Sequence, residues 1–563
     1  MNILLVAINA RYEHEGLAVW YLKAACEQHN IPVKVMQFSI NDSQQKIWAS
    51  ILDENPDVVA FSCYIWNRDV MLKLINDLKK ARPKCRIIVG GPETGYSGAQ
   101  EDYYAFGADY LIKGAGEYRF PMLLKQIKGG NSDRIKEELL QDSCNKNDYI
   151  SPFSSEYLAR IKDRIAYIES SRGCPYRCSY CLSSLSRGMV FHPIDEIKKD
   201  LEKLVAAKAK VIKFVDRSFN ANEKHALAIW DIIKGFSNED IVFHFEINPD
   251  ILTKAQIDCL ASMRPGLVQL EAGIQSVNPD ALKEVSRVMN VGKAISNLKV
   301  LMSKGNIHIH TDLIAGLPYD TLESFKEAFN RIYEIKAHHM QLGFLKLLRG
   351  TRIREEAEKH GFKYREYPPY EIIENKYLGV HEILILKEVE EVLDRTWNSG
   401  RFTYSLEYIV EFFDTPFDLY EGFAKFLMQK CRLYQPMSAA SLFKLIREYA
   451  LDIEGIDSIT LHSLLALDYA CSLKNSVIPE FLADDKVKTI DIREILEEHA
   501  PKTIWKKEYR KKYMVIEGSF PDRIVGESII TDNRVLLDMD FIDPVTNRVV
   551  PDNLSKLFTR ILN

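Results

Sequence analysis

The chain has no long hydrophobic run, no excess of one charge and few cysteines, and each absence excludes a class of protein. No apolar stretch approaches the roughly twenty residues of a membrane-spanning helix, so we predict no span. The 563 residues carry a formal net charge of −5, too small to indicate a dedicated nucleic-acid binder. Ten cysteines are too few for a disulfide scaffold and suit a reducing cytosol, so we expect a cytoplasmic location.

Two further patterns are missing. The predicted first strand runs into Asn9, Ala10 and Arg11 and not into G-x-G-x-x-G, which argues against a dinucleotide site. The short apolar run at residues 2–8 lacks a basic flank, so it predicts a buried strand and not a signal peptide. What is left is an ordinary globular composition, in a chain long enough for three or four domains.

Hydrophobic periodicity predicts an α/β fold in three parts. Residues 1–130 alternate five short strands with helices, which is typical of a small doubly wound, Rossmann-like domain. Residues 131–160 are polar and predict a linker. Residues 161–355 contain six βα units, one with a long helix over 279–303, and predict a partial (βα)6 barrel. Residues 356–563 predict a mostly helical domain that begins with a helix over 371–396.

Three cysteines carry the strongest chemical signal. Cys174, Cys178 and Cys181 follow the spacing C-x3-C-x2-C, just after the first predicted barrel strand, where βα barrels place their reactive groups. A closed zinc site needs four ligands, whereas three thiolates on a [4Fe–4S] cluster leave one iron open to a substrate or cofactor. The alternatives are thiols that merely share a loop, or a zinc site with a distant fourth ligand.

The cysteine spacing, together with segments 269–276 and 310–318, resembles the radical S-adenosylmethionine (SAM) family. The resemblance implies that the open iron binds SAM and that reduction of the cluster releases a 5′-deoxyadenosyl radical. It also implies an external low-potential electron donor, such as a flavodoxin or ferredoxin-like protein. Gln275 and Ser276 would then lie close to SAM. Tyr180 would lie near the adenine, with ordinary packing as the alternative.

Two carboxylates are further SAM candidates by the same resemblance. Glu246 on the third barrel strand would receive the SAM amino group or ribose hydroxyls, unless it pairs with Arg217 or Arg264 inside the barrel. Asp216 follows the second strand, where related proteins bind the SAM amine.

His338 and His339 are adjacent in sequence and precede the sixth predicted strand. No metal-binding residue stands at a suitable spacing from them, so they predict a solvated loop.

The order of elements in residues 1–130 resembles the cobalamin-binding domain that precedes many radical SAM domains. The strict Asp-x-His-x-x-Gly motif is absent. This implies either base-off cobalamin without a histidine ligand or ligation by His14 in a changed geometry. Polar groups at the strand ends would bind corrin amides or the nucleotide tail, and aromatics would pack on the corrin. The candidate contacts are Tyr12, His14, Ser62, Gly90, Gly91, Pro92 and Glu93.

The overall resemblance is to cobalamin-dependent radical SAM enzymes with an appended C-terminal domain of unknown function. The commonest reaction it implies is methyl transfer to an unactivated substrate carbon via methylcobalamin. The alternatives are a cobalamin-dependent rearrangement or cyclisation without methyl transfer, and a non-catalytic cobalamin or redox sensor. Methyl transfer requires the strand-end loops of the two α/β domains to face each other. Nothing in the sequence identifies the substrate.

Overall fold

The computed structural model describes residues 1–129, 149–185, 188–474, 477–483, 485–499, 508–526, 528–530 and 533–554. Residues 130–148, which make up most of the predicted linker, lie outside this set. Over the described ranges, no helix combines the length and the apolar character needed to cross a bilayer.

The N-terminal α/β unit comprises β1 (Ile3–Asn9), α1 (Leu17–Gln28), β2 (Lys34–Ser39), α2 (Gln44–Asp53), β3 (Val58–Ser62), α3 (Arg68–Ala81), β4 (Arg86–Gly90), α4 (Ala99–Ala105), β5 (Tyr110–Ile112) and α5 (Arg119–Lys128). The strands form one parallel sheet in the order β2-β1-β3-β4-β5. Every residue of β1 is buried, because its alternate side chains enter two separate hydrophobic cores. In this strand order the ligand crevice lies at the carboxyl ends of β1 and β3.

The second unit comprises α6 (Ser155–Leu158), β6 (Ile165–Ile168), β7 (Ser171–Gly173), β8 (Met189–Phe191), α7 (Ile194–Ala206), β9 (Val211–Phe214), α8 (Glu223–Lys234), β10 (Val242–Ile247), α9 (Lys254–Ala261), β11 (Val268–Gln275), α10 (Pro279–Glu284), α11 (Val291–Met302), β12 (His308–Ala315), α12 (Leu322–Tyr333) and β13 (His339–Phe344). Six parallel strands in the order β13-β12-β11-β10-β9-β6 form the predicted partial barrel. Burial alternates residue by residue along β11 and β12. One face of this sheet is therefore sealed by helices, and the concave face is partly open.

The C-terminal region comprises α13 (Arg352–Glu355), α14 (Ala357–His360), β14 (Lys363–Tyr364), β15 (Ile372–Glu374), α15 (Val380–Arg395), α16 (Thr403–Ile409), α17 (Pro416–Gln429), α18 (Ala439–Leu451), α19 (Ser458–Leu473), β16 (Lys488–Ile490), α20 (Ile492–His499), α21 (Tyr509–Lys512), β17 (Tyr513–Glu517), α22 (Asp522–Val525), β18 (Arg534–Ile542) and β19 (Val549–Asp552). It is mostly helical, as predicted, and it ends in a four-stranded sheet whose strands pair antiparallel.

Both edges of the partial barrel are covered by other parts of the chain. At the β13 edge, the Asn398 side chain accepts from the Met340 backbone N–H at 2.8 Å and donates to its carbonyl at 2.9 Å. At the β6 edge, His14 of the N-terminal unit forms a parallel bridge with Ile165. Each open edge of the six-stranded sheet therefore has one residue whose backbone is bound by another part of the chain.

The predicted solvated loop at His338 and His339 is wrong. His338 Nδ1 accepts from the Ile309 N–H at 3.1 Å, and His339 stacks on His310 with ring centroids 4.8 Å apart.

Two predicted helices are wrong in detail. The helix over 279–303 is two helices, because Ser286 has a φ of +55° and the Asn290 side chain caps the start of α11. The helix over 371–396 begins only at Val380. Before it, β15 pairs with β14, since tertiary contacts there override the helical spacing of the apolar residues.

Candidate active site

The three predicted cluster cysteines lie together in the loop between β7 and β8, beyond the carboxyl end of β6. All three are free thiols. Gly173, just before Cys174, has a φ of +95°, and a Cβ there would overlap the carbonyl oxygen of Gly188. Only glycine therefore lets the two strands that flank the loop approach this closely.

Three thiolates are one ligand short of a closed zinc site, whereas on a [4Fe–4S] cluster they leave one iron open. Among the described residues, the trio of potential metal-ligand atoms that lie within 4.8 Å of one another is Glu284, Glu356 and His360. This trio already has a cation beside it, because Lys359 forms an ion pair with Glu284.

Asp216 positions the segment that leads into the cysteine loop. It is almost completely buried and accepts from Ser170 N–H at 2.9 Å, Ser170 Oγ at 2.7 Å and Ser171 Oγ at 2.6 Å. Burial raises the pKa of Asp216 to about 6, although these hydrogen bonds oppose the shift. Its two oxygens already hold three donors, so its contact with the SAM amine stays a prediction.

Arg287 lies behind the cysteine loop and was missed by sequence reasoning, because no motif marks it. Its Nη1 is 3.8 Å from the Cys178 sulfur, and its Nη2 donates to the Gly273 carbonyl. A buried guanidinium here stabilises a thiolate. Tyr180 is packed beside it, and its hydroxyl has no hydrogen-bond partner among the described residues.

The predicted SAM residues on the barrel strands lie at or near the same end of the sheet. A bulge distorts β11 between Gly273 and Gln275, and Gln275 has a φ of +76°. The buried Ser276 accepts from the Asn278 N–H at 3.0 Å. Burial raises the pKa of Glu246 on β10, and the Glu271 charge raises it further. Arg264, one proposed partner of Glu246, donates instead to the backbone carbonyls of Glu239 and Ile241.

The strand ends of the N-terminal sheet present aromatic surface, as a planar macrocycle would need. Tyr12 is 73 % exposed and Trp66 is 42 % exposed. Tyr64 stacks on Trp66 with ring centroids 4.4 Å apart. Exposed aromatic surface at a ligand crevice fits an amphipathic, ring-shaped cofactor.

His14 faces the barrel. Its Nδ1 lies 3.1 Å from the Tyr167 hydroxyl, and burial lowers the pKa of His14, which favours the neutral imidazole. This side chain thus has a partner on β6, on the barrel side of the crevice. Cobalamin without a histidine ligand and ligation of cobalt by His14 both stay predictions.

The turn after β4 is shaped by its backbone. Gly90 ends the strand, and Gly91 has a φ of +107°, with a Cβ there overlapping the Cys63 carbonyl oxygen. Pro92 then starts a short 3-10 turn. The Ser62 backbone carbonyl, at the end of β3, accepts from the Asn67 side chain at 3.0 Å.

Glu93 points into the protein. It is 2 % exposed, and its Oε2 accepts from the Tyr370 hydroxyl at 2.9 Å and lies 3.7 Å from Arg68 Nε. Burial raises the pKa of this carboxyl. The side chain therefore ties the N-terminal unit to the region after the barrel, and its contact with a corrin amide stays a prediction.

The strand-end loops of the two α/β units face each other, as the sequence analysis expected. Arg172, at the start of the cysteine loop, contacts Glu117 of the N-terminal unit at 2.8 Å. Arg349, just beyond β13, donates to the Tyr96 hydroxyl at 3.0 Å and pairs with Asp102. The strand-end loops of the two units are therefore in contact beside the cysteine loop and the aromatic crevice.

Comparison with known families gives three matches along the chain. Residues 3–124 match the B12 binding domain, residues 168–332 match the radical SAM superfamily, and residues 358–517 match a protein family of unknown function, DUF4080.

Among curated proteins, the chain is 25% identical over 341 residues to the 2-(S-pantetheinyl)-carbapenam-3-carboxylate methyltransferase of Streptantibioticus cattleyicolor, covering 53% of this chain and 47% of that protein. The chain thus spans about half the length of the curated relatives it matches.

Two solved structures share the fold. The methyltransferase TsrM from Kitasatospora setae, with cobalamin and a [4Fe-4S] cluster bound, aligns with a TM-score of 0.53 at 15% identity, over 66% of this chain and 78% of TsrM. The cobalamin-dependent S-adenosylmethionine radical enzyme OxsB aligns with a TM-score of 0.56 at 15% identity, over 91% of this chain and 82% of OxsB.

The matches define the class by its domains: the chain carries a B12 binding domain followed by a radical SAM domain, the order found in the cobalamin-dependent radical SAM enzymes to which it is similar. After them comes a third domain of the DUF4080 family, whose function is unknown.

Proposed function

We propose that this protein reductively cleaves SAM at a [4Fe–4S] cluster held by Cys174, Cys178 and Cys181, and that it transfers a methyl group to an unactivated carbon with the help of cobalamin. The observation that carries the proposal is that the strand-end loops of the two units meet, with the three thiols on one side and the aromatic strand ends on the other. We place the cofactors in the space between them. Bound there, the cluster would supply the electron that cleaves SAM, and the cobalamin would carry the methyl group.

The residues of the chain position these groups. Asp216 holds the segment before the cysteine loop, and Arg287 places its guanidinium 3.8 Å from the Cys178 sulfur. The backbone of Gly91 brings the β4 turn close to the crevice, and Tyr12 and Trp66 offer a surface for a corrin. Because the loops of both units meet around this space, water can be excluded from a radical reaction there.

The remaining roles follow from the same proposal. Glu246, Gln275, Ser276 and Tyr180 contact SAM, and His14 lies at the edge of the cobalamin crevice. Domain divisions fall at residues 130, 160 and 355. An oxygen-sensitive cluster and free thiols suit the reducing cytosol. Reduction of the cluster calls for an external low-potential electron donor such as a flavodoxin or ferredoxin-like protein.

The test is anaerobic reconstitution with iron, sulfide and cobalamin, followed by addition of SAM and dithionite. Wild-type protein should bind iron and form 5′-deoxyadenosine, measured by mass spectrometry. Replacing Cys174, Cys178 or Cys181 by alanine should reduce both to background, because each removes one thiolate. Replacing Cys431, which is exposed, is the matched control and should change neither.

The same assay separates the possible outcomes. S-adenosylhomocysteine formed together with 5′-deoxyadenosine supports methyl transfer. With cobalamin bound, 5′-deoxyadenosine without S-adenosylhomocysteine means that cobalamin takes no methyl group from SAM, which supports a rearrangement or cyclisation. No 5′-deoxyadenosine from reconstituted wild-type protein contradicts the proposal and favours a sensor.

A further inference from the structure

The turn between α10 and α11 exposes an apolar side chain beside the cysteine loop. Of the described large apolar side chains, Val288 is the most exposed, at 76%. It directly follows Arg287, whose Nη1 is 3.8 Å from the Cys178 sulfur. The Arg287 side chain therefore reaches from this exposed turn to one of the proposed cluster ligands.

Backbone contacts fix the turn against the cysteine loop. At its start, the Ser179 N–H donates to the Val285 carbonyl at 2.9 Å. At its end, the Asn290 N–H donates to the Asp250 carboxylate, beyond β10, at 2.9 Å. The position of Val288 relative to the cysteines is thus set from both sides.

Exposed cations surround the turn. Arg177 in the cysteine loop, Lys283 on α10 and Lys293 on α11 are all exposed, and none of the three forms an ion pair with another described residue. The two segments concerned, 174–182 and 279–294, contain four cations and two acids. One of these acids, Glu284, is already paired with Lys359. The local charge is therefore positive, although the whole chain is slightly acidic.

We call this region the Val288 surface. It consists of the exposed residues Pro175, Arg177, Lys283, Val288 and Lys293. An apolar centre with charged side chains around it is the usual composition of a protein contact surface. Cations that the chain itself leaves unpaired favour a partner of negative charge.

The position of this surface restricts the kind of partner. In a two-fold dimer the same patch would meet itself, so the cations of one copy would face those of the other and repel them. A one-electron carrier, by contrast, has to approach the cluster closely and leave again. Such redox contacts are small and depend on charge for their rate of encounter.

We propose that the Val288 surface is the docking site for an acidic one-electron carrier. The proposal rests on the proposed function, because it requires a cluster at the three cysteines. Val288 is buried at the centre of the contact, and Arg177, Lys283 and Lys293 attract the carrier. One electron passes from the reduced carrier to the oxidised cluster. With a flavodoxin, the flavin hydroquinone becomes the semiquinone.

The test measures how fast a reduced carrier reduces the cluster of the reconstituted protein, by stopped-flow absorbance. The probes are an acidic flavodoxin in its hydroquinone form and a reduced ferredoxin. Val288→Asp and Lys293→Glu should each lower the second-order rate constant by about tenfold, because each disturbs encounter with a negatively charged partner. Added salt should slow the wild-type reaction and remove most of the Lys293→Glu effect.

Each variant has a matched control. Val300→Asp changes an exposed valine at the other end of α11, where the side chain is 42% exposed. Lys73→Glu reverses an exposed charge on α3 of the N-terminal unit. Neither control should change the rate constant. The iron content and the final electron paramagnetic resonance signal after dithionite should match wild type in all four variants, which shows that the cluster is intact.

Rate constants that are unchanged in both surface variants with both carriers would overturn the proposal, and so would an equal loss in the controls. A wild-type dimer that Val288→Asp converts to a monomer in size-exclusion chromatography would also overturn it, because a second copy would then cover the surface.

The two proposals can fail separately. Wild-type protein that forms 5′-deoxyadenosine with dithionite, while its reduction by both carriers is insensitive to the surface variants, refutes the docking site and leaves the proposed function standing. Wild-type protein whose cluster is reduced by a carrier in a variant-sensitive way, but which forms no 5′-deoxyadenosine, supports the docking site and contradicts the proposed function.

Discussion

The two parallel sheets of this protein differ in what their strands carry. In the N-terminal sheet, β1 and β3 are buried at every position, because helices cover both faces. In the barrel sheet, β11 and β12 alternate between buried and partly exposed residues, and most of the partly exposed ones are polar. A parallel sheet covered on both faces binds ligands only beyond its strand ends, whereas a curved sheet covered on one face also offers its interior.

The sharpest way to break this comparison is to place the same polar residue in each sheet. Leu5→Gln in β1 should destabilise the protein by about 3–5 kcal/mol, because it buries an amide without partners in a site that is 0% exposed. His310→Gln in β12 should cost less than about 1 kcal/mol, since the concave face is already polar. Thermal melting of the two variants measures the difference. An equal lowering of the melting temperature in the two variants would contradict the difference in packing between the two sheets.

A smaller effect is expected where the N-terminal sheet meets its crevice. Gly91→Ala should cost about 2–5 kcal/mol, because the new Cβ adopts a positive φ and overlaps the Cys63 carbonyl oxygen. Gly305→Ala is the matched control, since Gly305 also has a positive φ but has no atom near its would-be Cβ. The lowering of the melting temperature should be larger for Gly91→Ala. A similar lowering in both variants would show that the backbone of Gly91 does not pack tightly against the Cys63 carbonyl.

The smallest expected effect concerns the pH dependence of stability inside the barrel. Burial, followed by the Glu271 and Glu246 charges, raises the pKa of Asp312 from 3.8 to about 7. Between about pH 4 and 7 the folded state therefore holds this proton while the unfolded state releases it, so wild-type stability falls as the pH rises through that window.

Asp312→Asn removes this titration. The melting temperature of Asp312→Asn relative to wild type should rise between pH 5 and pH 8 by a few degrees, then stay level. Asp53→Asn, at an exposed aspartate, serves as the control and should show no such trend. A constant difference for Asp312→Asn would mean that this carboxyl is ionised throughout.

Much of the fold could be predicted from local pattern. Strands β4 and β10 begin and end where the apolar runs predict them, because neighbouring turn residues bound them. The break in the helix over 279–303 could not be predicted in the same way. It depends on a positive φ at Ser286 and on the Asn290 side chain, which caps α11. Neither residue marks a helix end by itself, because the break forms only when α10 and α11 pack as separate helices.

In the candidate site, too, features within one segment could be predicted and contacts between distant segments could not. The spacing of Cys174, Cys178 and Cys181 lies within one short segment and was predicted from the sequence. Arg287 was not, because it lies between α10 and α11, 109 residues from Cys178 in sequence, and the two meet only in the folded chain. Asp216 and Glu93 were singled out as contacts of SAM and cobalamin, and those roles stay predictions. Their observed partners, Ser170, Ser171 and Tyr370, come from other elements of the fold.

The sequence by itself determined the class of this protein, because the cluster motif and the apolar periodicity of two parallel sheets are local properties of the chain. Only the tertiary structure decided how the two sheets face each other, which carboxylates are already paired, and that the interior of the barrel is polar. These depend on contacts between distant segments, where the energy of a buried charge or acceptor is set by whichever groups the fold brings beside it.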